Sequence, residues 1–230
     1  AIIVTHYGLP LAYETFEGNT YEGNTLIPAL DQLRKKHKIN RVILVADSGL
    51  INKNNVDQIA AAGLEYIIGG RLKNSSKPII NNALSLEGYV DISEGVKAKS
   101  HSFIDKETKQ PTGHKLIFYH SQSRAKKDAY DREKALSKIS KQIGQKVKSK
   151  LSGALRKSYV TLSQEDSIIG IDEAKLAEAA KFDGHFIIHT NVKECDPARI
   201  LEHYSGLWQV EQTFRIAKYN LKIRPVFHYN

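Results

Sequence analysis

Apolar and polar positions follow two periods along this chain, and the switches between them mark its predicted elements. Ile2 to Tyr7 and Leu11 to Phe16 are dense enough in apolar residues to be strands, with Gly8-Leu9-Pro10 between them as a turn, so the chain opens on a hairpin. Thr25 is placed to cap a helix with apolar positions Leu26, Ala29, Leu30 and Leu33, ending in the basic run 34–38. Arg41 to Ala46 is a short apolar run bounded by Asn40 and Asp47, the pattern of a strand buried on both faces. Asn52 to Ala62 reads as a helix closed by Gly63, and Leu64 to Ile68 as another strand. Strand, helix and strand at this spacing form a βαβ unit, so these strands should be parallel. A hairpin leading into such a unit predicts an α/β fold with a mixed sheet.

From Gly69 the pattern changes. Residues 70–123 hold short alternating pieces such as Ile79-Ile80, Tyr89 to Ile92 and His114 to His120, which predict a β-rich stretch without a helix of its own. Residues 124–150 follow as a basic helix, with Leu136, Ile139, Ile143, Val147 and Leu151 as its apolar seam. Tyr159 to Leu162 and Ser167 to Ile171 read as short strands. Asp172 caps a helix through Lys181, and Asp183-Gly184 turns into a strand from His185 to Thr190. Asp196 at the N-cap and Pro197 at the first helical position start the final helix.

That last helix carries two adjacent stripes. Leu207, Val210, Phe214, Ala217 and Leu221 form an apolar one; Tyr204, Trp208, Glu211, Arg215 and Lys218 form the other, at spacings of 4, 3, 4 and 3. An acid placed among two cations and two aromatics is either ion-paired or used to hold a cation. The pairing alternative, Glu211 with Arg215 at i,i+4, is worth only about 0.3–0.5 kcal/mol. Asp47 is the second carboxylate of interest. It directly follows an apolar strand, and in open α/β sheets sites form outside the carboxyl ends of strands. Ser48-Gly49 supplies a tight turn after it, although a strand-terminal Asp also serves as the N-cap of the next helix. Two carboxylates and water suit Mg²⁺. Two such ions about 3.5–4 Å apart serve phosphodiester chemistry.

The positions of Tyr204, Glu211 and Lys218 resemble the Y-x2-R-x3-E-x6-K signature of a branch of DDE transposases from bacterial insertion sequences, with Leu207 standing where the signature has arginine. The surrounding LWQVEQTFR, the later IRPVFH and the upstream YGLPLAYETFEGN and VADSGL are similar to that family as well, so the resemblance covers most of the chain. It implies an RNase H-like fold whose mixed sheet is interrupted by a long insertion. Residues 1–69 would be the first part of the catalytic core. Residues 70–183 would be the insertion, β-rich with the basic helix 124–150, and residues 184–230 the last part of the core with its catalytic-Glu helix. It further implies two Mg²⁺ (or Mn²⁺) ions held by Asp, Asp and Glu. Asp47 matches the second Asp and Glu211 the Glu, with 163 residues between them as in the branch whose insertion is β-rich. The first Asp would end a strand upstream of Ala1, and the chain has no methionine, so a fragment lacking that ligand and inactive by itself is expected. Tyr204 and Trp208 would stack on bases near the cut, while Arg215 and Lys218 would hold phosphates. The implied activity is metal-dependent cleavage and strand transfer in DNA transposition, in a homodimeric synaptic complex. The alternatives are a DNA-binding remnant without catalysis and an RNase H-like nuclease without strand transfer.

Charge sharpens the partner. Residues 124–157 carry twelve Lys and Arg against three acids, which accounts for the entire net charge of +9. A basic segment within a neutral chain points to a polyanion, most simply DNA, with Lys138, Lys141 and Lys148 as backbone contacts; a solvated charged face is the alternative. No run of 18 apolar residues exists, so no membrane partner is predicted. Cys195 is the sole cysteine, which excludes an intramolecular disulfide and fits a cytoplasmic protein, nucleoid-associated when on DNA.

Overall fold

The computed structural model describes residues 2–4, 10–13, 36, 43–48, 56, 59–61, 63–105, 107–141, 159–162, 168–193 and 196–219. Within them lie ten strands and five α-helices, and three sheets. The predicted opening hairpin is present: β1 (Ile2–Val4) pairs antiparallel with β2 (Pro10–Tyr13). Pro10, expected in the turn, instead starts β2, the strand position at which a missing N–H costs least. The helix predicted from Thr25 falls outside the described residues.

The main sheet has six strands in the order β3-β4-β10-β7-β6-β5. These are β3 (Ile43–Ala46), β4 (Glu65–Gly70), β5 (Val90–Ser93), β6 (Val96–Ile104), β7 (Pro111–Ser121) and β10 (His185–Thr190). β3 and β4 are parallel, as the βαβ spacing requires, whereas β10 lies antiparallel to β4 and β5 antiparallel to β6. This mixed, helix-flanked sheet is consistent with the RNase H-like fold. Between β3 and β4, residues 59–61 are helical and Gly63 ends the turn at φ +68°. Its N–H bonds Ala60 and that of Leu64 bonds Ile59, the paired closure that a left-handed glycine permits. β3 is less enclosed than a strand buried on both faces: Ile43, Leu44 and Val45 are half-buried and only Ala46 is buried.

The chain divides into two compact units. The first comprises Ala1–Gly70, Ser100–Ile117 and Ile187–Asn230. Its core holds Ile59, Leu64, Tyr66, Ile67, Leu116, Ile187 and Ile188, all buried. Helix α4 (Pro197–Ser205) packs on β3 and β4, burying Ile200. Asp196 caps it as predicted, accepting the Ala198 N–H at 3.0 Å, and Pro197 occupies the first turn. The predicted final helix is not continuous. After Gly206 it restarts as α5 (Leu207–Tyr219), with the Gln209 N–H bonding Gly206 at the tighter i→i−3 spacing. Glycine is the weakest helix former after proline, so the break falls where the sequence is least committed.

The second unit comprises Arg71–Lys99 and Phe118–Phe186. It corrects the expectation that residues 70–123 hold no helix: α1 (Lys77–Leu84) follows a 3₁₀ turn at Leu72–Asn74. Ser76 at the N-cap and Pro78 in the first turn start it, and Ile79, Ile80, Ala83 and Leu84 form its less exposed face. The adjacent isoleucines match a strand by propensity, and the capping residues override them. The basic helix is α2 (Gln122–Ser140), two residues earlier than predicted because the Ser121 side chain caps it by accepting the Arg124 N–H. Residues 142–150 of its predicted span, including Lys148, lie outside the described residues. Ile139 on its seam is fully buried with Val160, against Tyr159 and Ile171. The short strands form an antiparallel pair, β8 (Val160–Leu162) with β9 (Ile168–Ile171). Asp172 caps α3 (Glu173–Ala180) by accepting the Lys175 N–H. No helix among the described residues is long and apolar enough to cross a membrane.

Candidate active site

Strand β3 delivers Asp47. Ala46 is buried, the strand stops there, and Asp47 is exposed at its carboxyl end with Ser48 in a turn. The parallel register sets Ala46 beside Ile68. One step further along both strands, Asp47 and Gly69 come at the same level of the sheet. Gly69 is buried, and a Cβ built there would land on the hydroxyl and ring of Tyr204. The hydroxyl end of half-buried Tyr204 of α4 therefore packs against bare backbone at the level of Asp47. Gly69 leaves room for this close approach, and a Cβ at Gly70 would instead meet Ile187 and His189 of β10.

The opposite end of these strands, where β4 begins, is held by side chains of the β10 exit. Buried Thr190 donates to the Tyr66 carbonyl at 2.7 Å and accepts the Val192 N–H at 3.1 Å. Asn191 accepts the Tyr66 N–H at 2.7 Å and donates to the Leu64 carbonyl at 2.9 Å. The Tyr66 hydroxyl reaches His114 Nδ1 at 2.8 Å. Each of these polar groups is thereby satisfied, which ties β4 to β10 in the sheet on which α4 packs.

Of the stripe predicted on the last helix, Trp208, Glu211 and Arg215 are exposed on α5, with Trp208 57% exposed. Lys218 also lies on α5. An exposed indole is costly surface for a purely structural residue. Among the described residues Glu211 and Arg215 do not form the i,i+4 ion pair that was the structural alternative for this acid. Lys138 and Lys141 are exposed at the end of α2 in the second unit. Residues that the sequence did not single out are Thr190 and Asn191, whose roles arise only from the pairing of β10 with β4.

The donor chemistry suits a hard divalent cation. Asp47 and Glu211 offer carboxylate oxygens at exposed positions. Among the described residues no group of three or more His, Cys, Asp or Glu forms a closed cage. Mg²⁺ keeps much of its water shell and takes one or two protein carboxylates, so this donor set fits it. His185 and His189, four apart on β10, gain no third ligand among the described residues.

The chain matches the family model of the transposase DDE domain over residues 1–229. It belongs to the DDE transposase family. No curated protein matches it. Membership in this transposase family implies DNA as the partner and divalent metal ions as the cofactor class. The resemblance first drawn on Tyr204, Glu211 and Lys218 thus extends to nearly every residue of the chain.

Proposed function

We propose that this transposase cuts DNA and joins the freed end to target DNA, with Asp47 and Glu211 as two of the carboxylates that hold its metal ions. The observation that carries this reading is the level of Tyr204: the first residue of the stripe that continues to Glu211 packs on Gly69, beside the strand end that presents Asp47. Mg²⁺ or Mn²⁺, two ions in the active enzyme, supplies charge stabilisation and an activated oxygen nucleophile when bound. Asp47 and Glu211 bind and orient it. Trp208 and Tyr204 take base faces near the cut, and Arg215 and Lys218 take phosphates. Lys138, Lys141 and Lys148 on the basic helix hold DNA backbone without reading bases. Residues 1–69 and 184–230 serve as the catalytic core and 70–183 as the insertion, in a homodimeric synaptic complex on the bacterial nucleoid.

The test is cleavage of a duplex bearing the element's end by the full-length protein in Mg²⁺ or Mn²⁺. Asp47→Asn and Glu211→Gln should each abolish cutting while leaving DNA binding in place. Hydrolysis without joined products would reduce the activity to that of a nuclease, and metal-dependent cleavage that survives both substitutions would overturn the assignment.

A further inference from the structure

The second unit holds an open cavity of about 580 Å³ whose residues the sequence scatters from Lys73 to Phe182. Its walls include the rings of Tyr159 and Phe182, and its rim carries Lys73 from the 3₁₀ turn, Lys77 from α1 and Lys175 from α3. The Lys73 ammonium sits 5.4 Å from the centre of the Phe182 ring. Nearby acids are already engaged: Asp172 pairs with Lys175 at 2.9 Å, and Glu178 on the rim pairs with Lys181 at 2.6 Å. Among the described residues Lys73 and Lys77 have no carboxylate partner and both are exposed. Two cations without a carboxylate partner among the described residues thus line a cavity with an aromatic wall, Lys73 over the Phe182 ring.

We propose that this cavity takes one nucleotide of an unpaired DNA strand, its base against Tyr159 and Phe182 and its phosphates at Lys73 and Lys77. The volume is in the range of sites that enclose a small organic ligand. Ring faces stack any base, whereas lysines hold the backbone, the combination used for single strands. A paired base is stacked within its duplex and offers no face to such walls. The inference rests on DNA being the substrate, and it adds a site on a unit that contains neither Asp47 nor Glu211.

The experiment measures binding of the full chain in EDTA, with labelled oligo(dT) of about 15 nucleotides, an abasic strand of the same length and a duplex of the same length. The variants are Lys73→Gln/Lys77→Gln together and Lys77→Gln alone, both at exposed positions. The double variant should bind oligo(dT) about tenfold more weakly, and the slope of log affinity against log salt should fall by about 1.4, at 0.7 per neutralised phosphate. The single variant should show about half that change of slope, and duplex affinity should stay within twofold. The abasic strand should bind the unmodified protein at least about fivefold more weakly than oligo(dT), the loss expected for one stacked base. Unchanged oligo(dT) binding in the double variant, equal weakening of duplex and single strand, or equal affinity for abasic and normal strands would each overturn the proposal. Duplex binding that persists in those cases leaves the DNA-acting reading intact; loss of all DNA binding by the unmodified protein would remove that reading as well.

Discussion

Both units spend acids on their scaffold, but the first unit alone also carries the two candidate metal ligands. In the second unit three carboxylates, Asp183, Asp128 and Asp172, are tied to the scaffold. Asp183 makes a two-pronged bond to Arg132 at 2.5 and 2.6 Å, Asp128 accepts the Gly184 N–H at 3.0 Å, and Asp172 caps α3. The Asp183 bond holds the Arg132 guanidinium even more firmly charged than usual, and the backbone N–H of Lys175 lowers the pKa of Asp172. In the first unit Asp105 and Asp196 are spent the same way, on a turn and a cap. Asp47 and Glu211 differ in position: Asp47 stands exposed at the carboxyl end of a strand and Glu211 exposed on a helix flank. Acids bound by cap, turn or guanidinium donors hold the scaffold, while a carboxylate at a strand's carboxyl end or on an exposed helix flank can turn an oxygen to a cation. Substitutions on both sides of that division test it.

The largest effect should come from Arg132→Ala. Removing one partner of a buried ion pair costs about 3–5 kcal/mol. The two side chains here are 16% and 19% exposed, which places the loss near the lower end, about 3 kcal/mol by urea denaturation. Asp183→Ala should match it, and the double variant should recover part of the loss. Glu211→Gln and Asp47→Asn should do the reverse. Stability should stay within about 0.5 kcal/mol, as for surface substitutions. Metal-dependent cleavage should fall more than about 100-fold, beyond what loss of an outer-shell partner costs. A destabilisation like that of Arg132→Ala would place these acids with the structural set.

Gly69→Ala should cost about 1–3 kcal/mol, because its methyl group displaces the Tyr204 ring from the sheet. Adding Tyr204→Ala should return part of that stability; full independence of the two changes in calorimetry would mean that α4 is not seated on β4 as described.

The second unit also contains a buried base that no donor or acceptor among the described residues satisfies. His185 Nδ1 is enclosed without a hydrogen-bond partner, with the rings of His120 and Tyr89 and the Lys99 ammonium around it. Burial first, then the charges of His120 and Lys99, lower its pKa from 6.5 to about 4. Folding therefore favours the neutral ring, and the stability this supplies is complete above pH 6.5 and lost as pH falls toward about 4. His185→Phe should flatten that acid limb in melting curves taken between about pH 7 and pH 4.5. An unaltered limb would assign it to other groups, His189 first, whose pKa burial also lowers.

The smallest effect on the fold should follow Lys138→Gln, Lys141→Gln and Lys148→Gln. Stability should hardly change, and the salt slope for duplex DNA should fall by about 0.9 for each phosphate no longer neutralised. An unchanged slope would make the basic helix a solvated face.

What could be read from the sequence follows from how local each signal is. The parallel β3–β4 pair, the caps at Asp172 and Asp196 and the seam residue Ile139 were legible, because each depends on spacing within a couple of dozen residues. Helix α1 was not, since Ile79-Ile80 satisfies a strand as well as a helix until Ser76 and Pro78 are weighed. Asp47 was legible as a strand end, and Glu211 as a member of a stripe. The pairing of Arg132 with Asp183 was hidden by 51 positions of separation, and Asp183 read only as a turn residue. The cavity residues were invisible for the same reason: no common period links a lysine at 73 with a ring at 182.

The break at Gly206 sets an angular phase. A residue in an α-helix advances the side-chain direction by about 100°, whereas one wound at three residues per turn advances it by about 120°. Each residue tightened in the turn closed by the Gln209 N–H therefore rotates α5 by about 20° relative to the direction α4 would have continued. Tyr204 is fixed in azimuth by Gly69, but Glu211, seven positions on, takes its azimuth from the winding of that one turn. The family's spacing between tyrosine and glutamate thus counts residues across a joint, and the joint's winding, more than the count alone, decides which way the carboxylate faces.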